Sequence, residues 1–126
     1  MQAWRTLTGA ATIRCHLIGR KPNMIYEHRT YRVPPGKGPE FLKLYEQTCL
    51  PVITRYAKLI GCWLTESGTL NSVVFIWAYN DFAHRTEQRA KLGKDPKWPV
   101  GVEKILPYLV HQESYFLTPA PFSPQE

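Results

Sequence analysis

No part of this 126-residue sequence is apolar over the ~20 residues that a membrane-spanning helix needs. The longest apolar-rich run, VVFIWAY at 73–79, has the length of a strand. Cysteine is scarce. Cys15, Cys49 and Cys62 are odd in number and form no C-x-x-C pair, which excludes the dense disulfide framework of small secreted domains. They read as reduced thiols, with Cys49 and Cys62 buried as small hydrophobes, and so point to a reducing compartment, the cytoplasm. Catalytic signatures are missing too: there is no G-x-S-x-G, P-loop, G-x-G-x-x-G or H-E-x-x-H. His28 and His111 would neighbour each other and Glu113 if the first and last strands pair. They still match no dense ligand motif, so neither a metal nor another cofactor is expected.

Acidic residues are absent from residues 1–23, which hold Arg5, Arg14, Arg20 and Lys21. The formal charge of +6 therefore misleads: the other 103 residues set twelve bases against ten acids and carry only +2 of it. A body so nearly neutral gives no basis for nucleic-acid binding. Residues 1–23 lack the apolar segment of a secretory signal and any serine. They read as a leader that results from a start placed too early, with Met24 the true initiator. Alternatively they are a targeting segment, since an Arg-rich, acid-free composition is that of transit peptides to the mitochondrial matrix.

What is present is a globular composition, 44% hydrophobic and 13% aromatic, enough for one domain with a core. Met24–Val33 alternates as a strand, with Ile25, Glu27, Arg29, Tyr31 and Val33 on one face. The segment PPGKGP ends it, because consecutive prolines lack ladder N–H groups. Pro39 suits the first turn of a helix in which Phe41, Leu44, Tyr45, Thr48, Val52, Arg55 and Tyr56 recur at helical spacing. Pro51 must kink or divide that helix. Leu59–Glu66 and VVFIWAY read as strands joined by the loop SGTLNS. Asp81 caps a helix from Phe82 to about Lys94. DPKWP interrupts, VGVEKILPYL forms a short helix, and LVHQESYFL makes a fourth strand before a Pro-rich tail, 119–126. The order βαββαβ with right-handed crossovers gives an α+β, ferredoxin-like protomer, an antiparallel sheet of order 4-1-3-2 with its helices on one face. In the third strand Phe75, Trp77 and Tyr79 alternate with Val74, Ile76 and Ala78, so both faces are apolar. A second copy packed sheet to sheet would cover the row that the helices leave bare.

Taken together, certain residues resemble the NIPSNAP family from 24 to about 117. They are E-x-R-x-Y at Glu27, Arg29 and Tyr31, a strand and turn from Gly61 to Gly68 ending in Asn71, and WAY at Trp77–Tyr79. R-x-x-x-R at Arg85 and Arg89 and DPxW at Asp95–Trp98 complete the set. Phe75 stands where the family often has a histidine, which removes any chemistry that depends on that imidazole. The resemblance implies a protomer that pairs into a dimeric α/β barrel and a domain that starts at Met24. It also implies a superfamily that includes cofactor-independent monooxygenases and isomerases.

The candidate site residues follow from charge on apolar faces. Arg85 and Arg89 lie four apart on a helical stripe with Phe82 and Leu92. Two guanidinium groups there need either an acid (Glu27, Glu87 or Glu113) or an anionic ligand opposite. Glu27, Arg29 and Tyr31 share a strand face and must be paired or line a wet pocket. Trp77, with Trp63, Tyr79 and Trp98, supplies aromatic surface, for packing or for a ligand cavity. If catalysis occurs, Glu27 and His111 are the acid/base candidates. Two functions remain: a protein binding a small acidic or apolar ligand between sheet and helices, or a non-enzymatic dimer that presents a surface to partners. Because the leader carries no periodic core pattern, a chain beginning at Met24 is expected to match the full chain in stability within about 1 kcal/mol. Calorimetry checks this; a melting temperature lower by about ten degrees would show that residues 1–23 pack as an element.

Overall fold

Residues 24–124 are described by the computed structural model; the leader and Cys15 lie outside the described residues. Strand β1 (Ile25–Arg32) is followed by α1 (Gly38–Thr48), α2 (Leu50–Ile53), β2 (Lys58–Leu64) and β3 (Ser72–Tyr79). Then come α3 (Phe82–Lys94), α4 (Lys97–Ile105), a 3-10 turn (Leu106–Tyr108) and β4 (His111–Leu117). The sheet order β2-β3-β1-β4 is the expected ferredoxin-like arrangement, with every neighbouring pair antiparallel. Pro51 divides the helical segment: α1 stops at Thr48 and the four-residue α2 carries the proline in its first turn.

The Asp81 carboxylate accepts from the His84 N–H at 2.7 Å and so caps α3. Helix α4 starts earlier than the sequence suggests, inside DPKW. Asp95 Oδ1 accepts from the Lys97 N–H at 2.9 Å, and Asp95 O accepts from the Trp98 N–H at 3.0 Å. Asp95 also takes the Tyr56 hydroxyl at 2.8 Å, which ties the end of α2 to the α3–α4 corner. Asn71 adopts a left-handed φ of 59°. Its carbonyl accepts from Val33 N–H and its Oδ1 from Gly36 N–H, so it locks the β2–β3 loop to the end of β1. The tail closes a turn from Ser123 N–H to the Ala120 carbonyl.

The core lies between the helices and one face of the sheet. Phe41, Tyr45, Phe75 and Trp77 are all but inaccessible, each contributing roughly 2–3 kcal/mol by leaving water. Strand β4 lies beyond this cover, and all seven of its residues are exposed. Gly101 lets α4 close on α1: a Cβ there would meet the Thr48 carbonyl oxygen at 2.6 Å. Gly93, in contrast, has nothing within 4 Å of that position. Gly101→Ala is expected to destabilise by about 1–3 kcal/mol, and Gly93→Ala to stabilise by up to about 1 kcal/mol, both read by denaturant melts.

Candidate functional site

Alternation along β1 turns Ile25, Glu27, Arg29, Tyr31 and Val33 toward the helices. The register sets Glu27 beside Trp77 on one side and Phe116 on the other, with Arg29 between Phe75 and Ser114. Glu27 is 0% exposed. Burial of a lone carboxylate would be prohibitive, and three donors from three elements remove the penalty. Arg85 of α3 donates from Nε to Oε1 at 2.9 Å and from Nη2 to Oε2 at 3.1 Å. Arg29 Nη1 reaches Oε2 at 2.7 Å, and the Ser114 hydroxyl of β4 donates to the same oxygen at 2.7 Å. Desolvation pushes the Glu27 carboxyl up, but the hydrogen bonds from Arg85, Ser114 and Arg29 outweigh it and bring its pKa to about 2.

The surroundings extend this cluster toward solvent. Arg29 Nε donates to the Tyr31 hydroxyl at 3.1 Å. Arg85 also lies 4.9 Å above the Phe116 ring, which meets Phe82 edge-on at 5.1 Å. Phe82 and Phe116 are 54% and 40% exposed, so an apolar lip borders the arginines. Arg89, one turn along α3, is half-buried and forms no ion pair among the described residues. Tyr79, whose phenol is pushed up by burial, lies within electrostatic reach of Glu27, Arg89, Arg85 and Arg29.

Of the sequence candidates, Glu27, Arg29, Tyr31 and Arg85 therefore come together, and Arg85 pairs with Glu27 rather than with Glu87 or Glu113. Glu87 faces Lys91 at 3.6 Å and Glu113 faces His111 at 3.1 Å. Trp77 stacks on Phe75 inside the core at 1% exposure. His111 belongs to the opposite, open face of the sheet, since it pairs with Arg32. No group of three metal-capable side chains converges among the described residues. Ser114, Phe116 and Gln112, whose Oε1 accepts from Arg29 Nη2 at 3.4 Å, were missed by sequence reasoning. Their common parity in β4 is the signal that would have found them, once β4 is placed beside β1.

An ionised, buried Glu27 makes folding depend on acid. Its pKa is about 2 in the native state against an ordinary 4.5, so its contribution is complete above pH 4.5 and is lost as pH falls toward 2. About 3 kcal/mol should disappear across that window. Urea melts of the wild type and Glu27→Gln should converge at the acidic end; near neutral pH the variant should be weaker by about 3 kcal/mol.

Three comparisons bear on this geometry. The sequence profile of the NIPSNAP family matches residues 26–124. Protein NipSnap homolog 3A of Homo sapiens is 42% identical over 76 residues, 60% of this chain and 30% of its own length. The chain thus spans about a third of the length of the NipSnap 3A and 3B relatives it matches. An uncharacterized NIPSNAP domain protein from Burkholderia xenovorans has 56% identity and a TM-score of 0.79, over 80% of this chain and 99% of that one. A NIPSNAP family protein with unknown function from Agrobacterium tumefaciens has 35% identity and a TM-score of 0.79, over 83% of this chain and 96% of that one. SnoaB, a cofactor-independent oxygenase from Streptomyces nogalater, is 16% identical with a TM-score of 0.54, over 76% of this chain and 92% of that one, a likeness of fold alone.

Proposed function

The chain belongs to the NIPSNAP family, and on that footing we propose that it is a dimeric binding protein for small carboxylates with an apolar or aromatic body. The observation that carries this reading is a charge imbalance. Two guanidinium groups, those of Arg29 and Arg85, share the one carboxylate of Glu27, which is saturated by donors, and Arg89 acts on the same Tyr79 phenol as they do. An anion resting on Arg89 and the outer edges of Arg29 and Arg85 would relieve their mutual repulsion. The lip of Phe82 and Phe116 would take its apolar body. Arg85 then serves mainly the scaffold, and Arg89 mainly the ligand.

Dimerisation through the open sheet face is part of the same reading. Val74 and Ile76 are half-exposed there, Tyr115 and Leu117 are exposed, and Trp63 lies over Gly61. A second copy would cover this row and the bare β4. The exposure of β4 also supports the alternative of an interaction protein without a ligand. Oxygenase or isomerase chemistry has less behind it. Glu27 is held ionised by three donors, far below the range of a neutral-pH base, and His111 lies on the other side of the sheet. The two described thiols, Cys49 and Cys62, are free, and burial pushes both up, Cys62 to about 11. Such unreactive thiols suit a reducing compartment, which we take to be the cytoplasm.

Calorimetric titration with benzoate and phenylacetate tests the ligand reading. Arg89→Ala should weaken binding at least about tenfold, near 1.4 kcal/mol, while stability stays within about 0.5 kcal/mol. Absence of saturation by either acid would leave the interaction protein as the better account. Sedimentation equilibrium at micromolar concentration should return a dimer that Ile76→Lys converts to monomer; a wild-type monomer ends the sheet-pairing reading.

A further inference from the structure

The open face of the sheet carries a second polar site, on the side opposite the arginine cluster. Ser72 of β3 is 1% exposed, and its hydroxyl has no hydrogen-bond partner. The other buried side-chain polar atom without a partner among the described residues is Nδ1 of His28 in β1. Both residues line one pocket of about 370 Å³, whose Val74 and Tyr115 belong to the face that the proposed second copy would close over. Buried polar groups are almost always paired, so two orphans in a single pocket mark where a hydrogen-bonding occupant completes the structure.

Two polar neighbours, Thr65 and Glu113, are engaged elsewhere. Thr65 Oγ1 donates to the Thr69 carbonyl at 2.9 Å and accepts from the Ser72 N–H at 3.3 Å. Glu113 is taken by His111 at 3.1 Å. The Tyr115 ring is tilted against His28 at 5.2 Å. Arg32 also lines the pocket and forms no ion pair among the described residues.

These walls have a definite chemistry. The exposed guanidinium of Arg32, free of an acid among the described residues, offers a fork to a carboxylate. The hydroxyls, the imidazole and the outer lone pairs of Glu113 call for an occupant with several hydroxyl groups. The ring of Tyr115 offers a flat surface to C–H groups. The volume is at the small end of ligand sites, about 300–1,000 Å³. We propose that this pocket binds a small polyhydroxylated carboxylic acid, of the sugar-acid kind. Its carboxylate rests on Arg32 and its hydroxyls on Ser72 Oγ, His28 Nδ1 and Glu113.

The test is calorimetric titration of the full chain with D-gluconate and D-glucuronate, using D-glucose and propionate as comparators. At least one acid should bind saturably and at least ten times more tightly than either comparator, and excess benzoate should not displace it. Arg32→Gln and Ser72→Ala should each weaken binding tenfold or more, whereas Lys104→Ala on α4 should not. Without ligand, Ser72→Ala should melt no lower than the wild type, because its hydroxyl has no partner to lose. Failure of both acids to saturate, equal binding of a comparator, or indifference to the two variants overturns the proposal. So does a tenfold weaker dimer in Ser72→Ala without gluconate binding, because the orphan groups would then be completed by a second copy. Displacement by benzoate would return the acids to the arginine cluster, leaving the function proposed there intact.

Discussion

Glu27 has no surface in contact with water, yet it carries a full negative charge in the middle of β1, under the helices, between Trp77 and Phe116. The rest of the domain is arranged to make this tolerable. Arg85 comes from α3, Ser114 from β4 and Arg29 from β1 itself, so one carboxylate fixes how a helix and an edge strand sit on the central strand. A buried ion pair is weak support for stability, because desolvation consumes most of its Coulombic gain. Its value here is positional. Strand β4 is exposed along its whole length and has no apolar row beneath a helix to set its register. The hydrogen bond from Ser114 to Glu27 adds a side-chain tie to the backbone pairing of β4 with β1.

This dependence explains why the domain is unevenly held together. From β2 to β1 the sheet is covered, with Phe41, Tyr45, Phe75 and Trp77 in contact across the layers. At the α1–α4 contact the cover is so close that Gly101 leaves no space for a methyl group. From β1 to β4 the cover gives way to polar contacts and a lip of exposed aromatic rings. Function tends to concentrate where packing stops, because half-desolvated charge is both costly and useful there. The arginines stand at that boundary.

Much of this was legible in the sequence, for reasons that differ by element. The order of strands and helices follows from alternation, from the Asp81 cap and from Pro51, all local signals with strong stereochemistry behind them. The Arg85–Glu27 pair was one of three pairings the charges allowed. Choosing among them required the register of β1 against β3 and the rotation of α3, which no local rule supplies. Asp95 illustrates the limit. Its place in DPxW marked it as important, but its bond to Tyr56 joins segments that are far apart in the chain. Ser114 was harder still: a serine in an exposed edge strand has no hydrophobic pattern to betray it.

The two faces of β1 differ in how far their polar groups are bonded. Odd-numbered side chains carry the satisfied network, in which Glu27 accepts from three donors and Arg29 is bonded to Tyr31 as well. Among the even-numbered side chains, His28 lacks a partner for Nδ1, and the exposed Arg32 has no acid among the described residues. A protein that completes one polar row to the last hydrogen bond and leaves the next row open is not simply poorly packed. The closed row gives Glu27 all its partners from within the protomer and ties β4 to β1. The open row holds buried polar atoms with no bond inside the protomer, which water, a small molecule or a second copy can complete. Recognition by this domain is therefore to be sought first where its own hydrogen bonding is unfinished, on the open face of the sheet and beside Arg89, and not within the core.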